Sequence, residues 1–264
     1  MFLVVLLLTL AFLGLFWLAT VHLSHHLGGI NPPFGIDAKT VLGGTLLGLA
    51  MFATLFLGTV LAVFLTLGAV RGDAERGLLQ PLVVRPLGRT TFLFARFAGA
   101  VAVCTAYVVL VYFVAMLIVG GQVHWWPGEI VLPAIWLAAA VAVLVALSLL
   151  GSVFLSATAN GVGVFMIFGA GLVGGLLGQI GHALDSATLK TIGRDTSWAL
   201  PFEALYQHAL HGITEGTAGL TTFVVRLGPF GGAQGASPWL WPWIAGYLAI
   251  VTAAAVAGFA RSDL

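Results

Sequence analysis

The chain has 264 residues, of which 60% are hydrophobic and 7% charged, with a formal net charge of +1 at pH 7. A water-soluble domain carries roughly 25% charged residues, so the composition excludes a soluble globule, and the near-neutral balance excludes an electrostatic nucleic-acid surface. A single cysteine, Cys104, excludes a disulfide framework and a cysteine-based metal cluster.

A membrane-spanning helix needs about 20 apolar residues. Stretches without Asp, Glu, Lys or Arg run over 1–36, 40–70, 97–128, 130–184 and 227–260. The first begins MFLVVLLLTLAFLGLFWLAT, which lacks a basic leader, is too long for a signal-peptide core and has no small-x-small cleavage site. It reads as a retained span over about 1–21, followed by His22, His25 and His26. The second span covers about 42–69. A basic segment, 71–96, then carries five of the ten Lys and Arg residues: Arg71, Arg76, Arg85, Arg89 and Arg96. A third span covers about 97–119, with Cys104 in it as a small buried hydrophobe. The 130–184 stretch is too long for one helix. Turn-type residues in Ser156-Ala-Thr-Ala-Asn160-Gly161 divide it, giving spans over about 132–155 and 162–180. The fifth span carries overlapping GxxxG pairs, Gly171/Gly175 and Gly174/Gly178. These mark a face where two helix backbones approach, and the sequence leaves open whether the neighbour is in the same chain or a second copy. In the loop 181–238, Phe202, Leu205, Tyr206, Ala209, Leu210 and Ile213 recur at spacings of three and four. Pro201 suits a first helical turn, so residues 197–210 read as an amphipathic helix at the outer interface. The sixth span covers about 240–260.

The expected fold is therefore an all-α integral membrane protein, a single transmembrane domain over 1–264 with six transmembrane helices. Lys and Arg in short loops mark the cytoplasmic side, which places 71–96 and both termini there and 181–238 outside. Trp125, Trp126, Trp239, Trp241 and Trp243 then fall at the outer edges of their spans, where amphipathic rings anchor.

No Asp, Glu, Lys or Arg lies within a span, which counts against chemistry or ion coupling at depth. There is no HExxH pair and no phosphate-binding GxxxxGK[ST] loop, so the chain is read as a non-enzyme that does not hydrolyse nucleotide itself. His208 and His211 lie one turn apart, but two imidazoles make a weak site; they read as interfacial histidines, with no metal assigned. The segment 71–96 reads equally as a short helix offering Leu79, Leu82 and Val83 to a partner and as a loop that only sets topology.

The run Glu75-Arg-Gly77-Leu-Leu79-Gln-Pro81-Leu-Val-Val-Arg85-Pro86-Leu-Gly-Arg89, followed by Ala95-Arg96, resembles the cytoplasmic loop of ABC-2 type transporter permeases. In that family an acidic residue precedes Gly-Thr-Leu, an apolar pair, Arg-Pro-Val-Ser-Arg and a Gly-Lys entering span three. Glu75, Gly77, Leu79, Pro81, Pro86 and Arg89 match; Leu78 replaces the Thr, Gly88 the Ser, and Ala95-Arg96 the Gly-Lys. Six spans, a Pro-Phe-Glu motif between spans five and six, and the ending Phe259-Ala-Arg-Ser-Asp263-Leu264 extend the likeness. One departure is that this chain starts directly in span one, where the family has a cytoplasmic amphipathic helix first.

The resemblance implies the permease subunit of an ATP-driven exporter in the plasma (inner) membrane. A second permease chain would pair with it as a homo- or heterodimer, and cytoplasmic ABC ATPase subunits would carry ATP and Mg, with no cofactor in this chain. Glu75, Gly77, Leu79, Pro81, Arg85 and Arg89 would form the coupling helix, and outer helices between spans five and six would help gate the exit. A membrane scaffold or assembly factor and an ion-driven secondary carrier are the competing classes. The few polar residues of the spans (Thr105, Tyr107, Ser148, Ser152, Gln179) suit a lipid-like cargo and equally suit helices that simply face lipid.

Overall fold

A computed structural model describes residues 2–27, 37–67, 89–214 and 238–261. Every regular element among them is a helix: α1 Phe2–Leu27, α2 Ala38–Thr66, α3 Arg89–Val123, α4 Leu132–Phe154, α5 Ala157–Ala183, α6 Ala187–Ala199, α7 Pro201–Thr214 and α8 Leu240–Arg261. Six of these, α1 to α5 and α8, are long and apolar enough to cross a membrane. With 13 and 14 residues, α6 and α7 are too short to span a bilayer core of about 30 Å.

Of the places where the structure departs from the sequence expectation, three have a readable cause. Helix α3 begins at Arg89, eight residues before the expected start of its span. Charge at Arg96 had ended the apolar stretch, yet Leu93 is fully buried and the Arg96 guanidinium lies over the Phe92 ring, 5.4 Å from its centroid. An arginine whose stem covers apolar surface while its head stays exposed does not interrupt a helix. The break between α4 and α5 is also narrower than the six residues read as a turn. Only Leu155 and Ser156 interrupt the helices, because Ser156 takes the extended backbone of an N-cap (φ −64°, ψ 159°). Thr158, Asn160 and Gly161 thus fall in the first turns of α5.

The third difference lies between α5 and α8. Residues 197–210 do not form one helix, since Ser197 and Trp198 close α6 and α7 opens at Pro201. Proline disfavours the helical conformation of the residue before it, and Leu200 accordingly sits at φ −126°, ψ 74°. The apolar face of α7 packs inside the protein. Phe202, Leu205, Tyr206, Ala209, Leu210 and Ile213 are all 3% exposed or less.

By contact, the chain groups into two compact units. The first comprises Met1–Leu57, Tyr107–Ala138 and Ala204–Ala236. Its core joins α1, α2 and α3 through Phe16, Leu46, Ala50, Ala115, Val119 and Val123. Thr9 and Tyr107 share a hydroxyl–hydroxyl hydrogen bond of 2.6 Å between α1 and α3. His124, at φ 57°, ends α3, and the rings that follow are held close: a Cβ on Gly43 would overlap the Trp125 indole, and one on Gly120 the Trp126 indole.

The second unit comprises Gly58–Ala106, Ala139–Glu203 and Ser237–Leu264. Leu93, Leu149, Val153, Ala255 and Phe259 pack α3, α4 and α8 together. Helix α5 ends in a left-handed residue, Asp185 (φ 52°), and the Ser186 amide donates back to the Gly181 carbonyl at 2.9 Å, the paired-turn closure of a Schellman motif. That closure turns the chain straight into α6. At its far end, α6 is tied to α8 where Trp243 Nε1 donates to the Trp198 carbonyl at 3.0 Å and the two indoles meet edge to face.

Candidate functional site

The site builds from the glycines of α5. Gly171, Gly174, Gly175, Gly178 and Gly181 recur at helical spacing and are all buried, while Val162, Met166, Val173 and Leu176 on the same helix are exposed. Each glycine makes room for a particular neighbour of the same chain. A Cβ at Gly171 would meet the Phe202 ring, and one at Gly174 would fall 2.6 Å from Thr196 Cβ. At Gly178 it would sit 3.2 Å from the Gly193 Cα, so α5 and α6 touch backbone to backbone. At Gly175 it would overlap the Glu203 carboxylate.

Glu203 is 1% exposed and is the one buried acidic residue among those described. It occupies the first turn of α7, where the positive end of the helix dipole favours a carboxylate. Ser197 Oγ, on α6, lies 2.9 Å from Glu203 Oε2 and 3.0 Å from the Gly193 carbonyl oxygen. A hydroxyl has one hydrogen to donate. With an ionised carboxylate, Ser197 divides that hydrogen between two acceptors. With a protonated carboxyl, Glu203 donates to Ser197 Oγ and Ser197 donates to Gly193, so both contacts are made in full. The stacked rings of Phe168 and Phe202 cover one side of the carboxyl's helix.

Glu203 was legible only as part of a Pro-Phe-Glu motif in a loop. Its burial was not, because the signal is joint: a glycine strip with no large side chains needs something to fill it, and the next two helices supply Thr196 from α6 and Phe202 and Glu203 from α7. A second buried polar group, also unread in the sequence, joins α2, α4 and α5 in the same unit. Thr66 and Ser148 share a 2.5 Å hydrogen bond, and Asn160 Nδ2 donates to the Ser148 carbonyl at 3.0 Å.

Of the residues read as coupling to an ATPase, Glu75, Gly77, Leu79, Pro81 and Arg85 lie outside the described residues, and Arg89 is described only as the backbone that opens α3. His208 and His211 stack at 6.3 Å between centroids, and His208 meets the edge of Trp136 at 4.3 Å. Among the described residues no group of three His, Cys, Asp or Glu side chains is placed to hold a metal ion. Cys104 is fully buried.

Comparison with family models matched none, and comparison with curated proteins gave no match either.

Proposed function

We propose that this chain is the membrane-spanning permease subunit of an ATP-driven transporter of the ABC-2 type, working as an exporter with a separate ATPase. The observation that carries the reading is the Glu75–Arg89 run between two spanning helices, since it combines helix-breaking prolines, an acidic start and spaced arginines in the one basic stretch of the chain. The architecture supports it: six helices able to cross a membrane, with two short helices between the fifth and sixth. In this reading Arg85 and Arg89, with Glu75, Gly77, Leu79 and Pro81, seat in the ATPase. Nucleotide-driven closure then biases the spans between two states, because a ligand shifts only what it contacts differently in each state. The membrane is the plasma (inner) membrane, with both termini cytoplasmic, and a second permease chain completes the pathway.

The test is a pull-down of the full chain in mild detergent. The reading expects a nucleotide-binding subunit bearing a phosphate-binding loop to co-purify in stoichiometric amount. Recovery of the chain alone, or with partners that bind no nucleotide, sinks it in favour of a scaffold. Glu203 favours one further reading, an ion-driven secondary carrier, because a buried carboxyl is a usual proton-carrying group in such proteins. That reading expects Glu203→Gln to abolish proton flux in vesicles with no ATP present, whereas the permease reading expects no such flux in wild type.

A further inference from the structure

The end of α2 is fastened to α4 and α5 by buried polar groups. Thr66, in the last turn of α2, is 1% exposed, Ser148 in mid α4 is fully buried and Asn160 in the first turns of α5 is 1% exposed. Their polar atoms run in sequence from helix to helix: Thr66 Oγ1 to Ser148 Oγ at 2.5 Å, then Asn160 Nδ2 to the Ser148 carbonyl at 3.0 Å. Thr66 also donates to the Ala62 carbonyl at 2.9 Å within its own helix. The packing around the chain is equally close. A Cβ on Gly151 would overlap Asn160 Oδ1, and one on Gly161 would lie 3.3 Å from Leu67 Cδ1 and 3.6 Å from Val63 Cγ1. Sliding the end of α2 along its axis therefore breaks a hydrogen bond to α4 and collides with α5.

Where no water competes, an interhelical hydrogen bond is exchanged only for another protein partner. Asn160 Oδ1 is buried without a hydrogen-bond partner in this conformation.

We propose that Thr66, Ser148 and Asn160 are positioning residues that carry movement from the end of α2 into α5. The inference rests on the permease reading, because Leu67 directly precedes the segment 68–88 that holds five of the six coupling residues, all but Arg89. A pull on that segment reaches the bundle through the last turn of α2 as well as through the start of α3, and the polar chain passes the part that enters α2 to α5 and so to the glycine strip that seats α6.

The test uses the full chain with its co-purified ATPase in lipid nanodiscs. Cys104 is replaced by Ser, and an environment-sensitive fluorophore is attached through Val162→Cys, on the exposed face of α5. ATP with orthovanadate should change the fluorescence of this reporter protein. Thr66→Val, which removes the hydroxyl at nearly constant volume, and Ser148→Ala should each reduce that change at least fivefold, with ATPase binding and hydrolysis kept, and Thr66→Ser should restore it. Thermal melts confirm that the variants fold; Thr66→Val with Ser148→Ala provides two independent routes should either fail. A full-sized response in both variants overturns the proposal, and so does a silent reporter in an otherwise hydrolysing complex, which leaves the permease reading standing. Absence of any bound ATPase overturns both.

Discussion

At the scale of single residues, the glycines of α5 divide into those that hold a neighbour and those that do not. Gly178 faces the Gly193 backbone, which has no flexible end to move aside, whereas nothing lies within 4 Å of the Cβ position at Gly169. Gly178→Ala should therefore act as overpacking and cost about 1–3 kcal/mol, while Gly169→Ala should be neutral or stabilise by up to about 1 kcal/mol through helix propensity. Melting temperatures of the two variants in detergent check this. Equal effects would mean that the α5–α6 contact contributes nothing specific. The strip was readable as a packing face from its spacing alone, but not its occupant. GxxxG says that something comes close; only the fold supplies Gly193, Thr196 and Glu203 as the groups that do.

At the scale of elements, the long apolar helices were legible, and so was α7, which its apolar spacing and Pro201 mark; no residue pattern marked α6. Helix α4 starts at the residue expected and ends within one, because nothing but hydrophobicity decides it. Helix α3 is longer than expected because a charge was taken as a boundary, although a guanidinium such as Arg96 lies along a helix side without ending it. Helix α6, ATLKTIGRDTSWA, has little overall hydrophobicity to mark it, and it packs against the glycines of α5. The corner between α5 and α6 carries a testable electrostatic feature. Lys190 Nζ donates to Asp185, and that hydrogen bond together with the ammonium charge holds the Asp185 carboxyl below its usual range. A carboxylate whose folded value is lowered contributes stability that is present above its unfolded value, near 3.9, and lost as pH falls through the lower folded one. Wild type should thus melt above Asp185→Asn at neutral pH, and the gap should close in acid below the carboxylate range. The gap should be small and shrink with added salt, because Asp185 is 93% exposed and exposed pairs are screened. A gap that stayed constant as pH fell would assign the effect to the left-handed backbone at this position rather than to charge.

At the scale of the whole molecule, the proposed reading gives the same charges two tasks, setting topology and holding the partner. Five of the ten basic residues lie in 71–96, and a short arginine-rich loop fixes orientation. A substitution there can fail in two ways, by inverting the chain or by losing the ATPase, and the experiment has to separate them. Arg85→Glu with Arg89→Glu leaves Arg71, Arg76 and Arg96 in place, enough basic excess to keep this segment on its side. The expected outcome is a protein that inserts normally, shown by unchanged labelling of single cysteines placed in 71–96 and 181–238, yet retains less than a tenth of the wild-type ATPase in a pull-down. Arg85→Lys with Arg89→Lys keeps the charge but loses the planar fork that pairs with carboxylates. It should bind at an intermediate level if the arginines make directed contacts, and at the wild-type level if they act only as positive charge. Normal ATPase binding by the reversed variant would assign the segment to topology alone, and the six helices would then need another route to any source of energy.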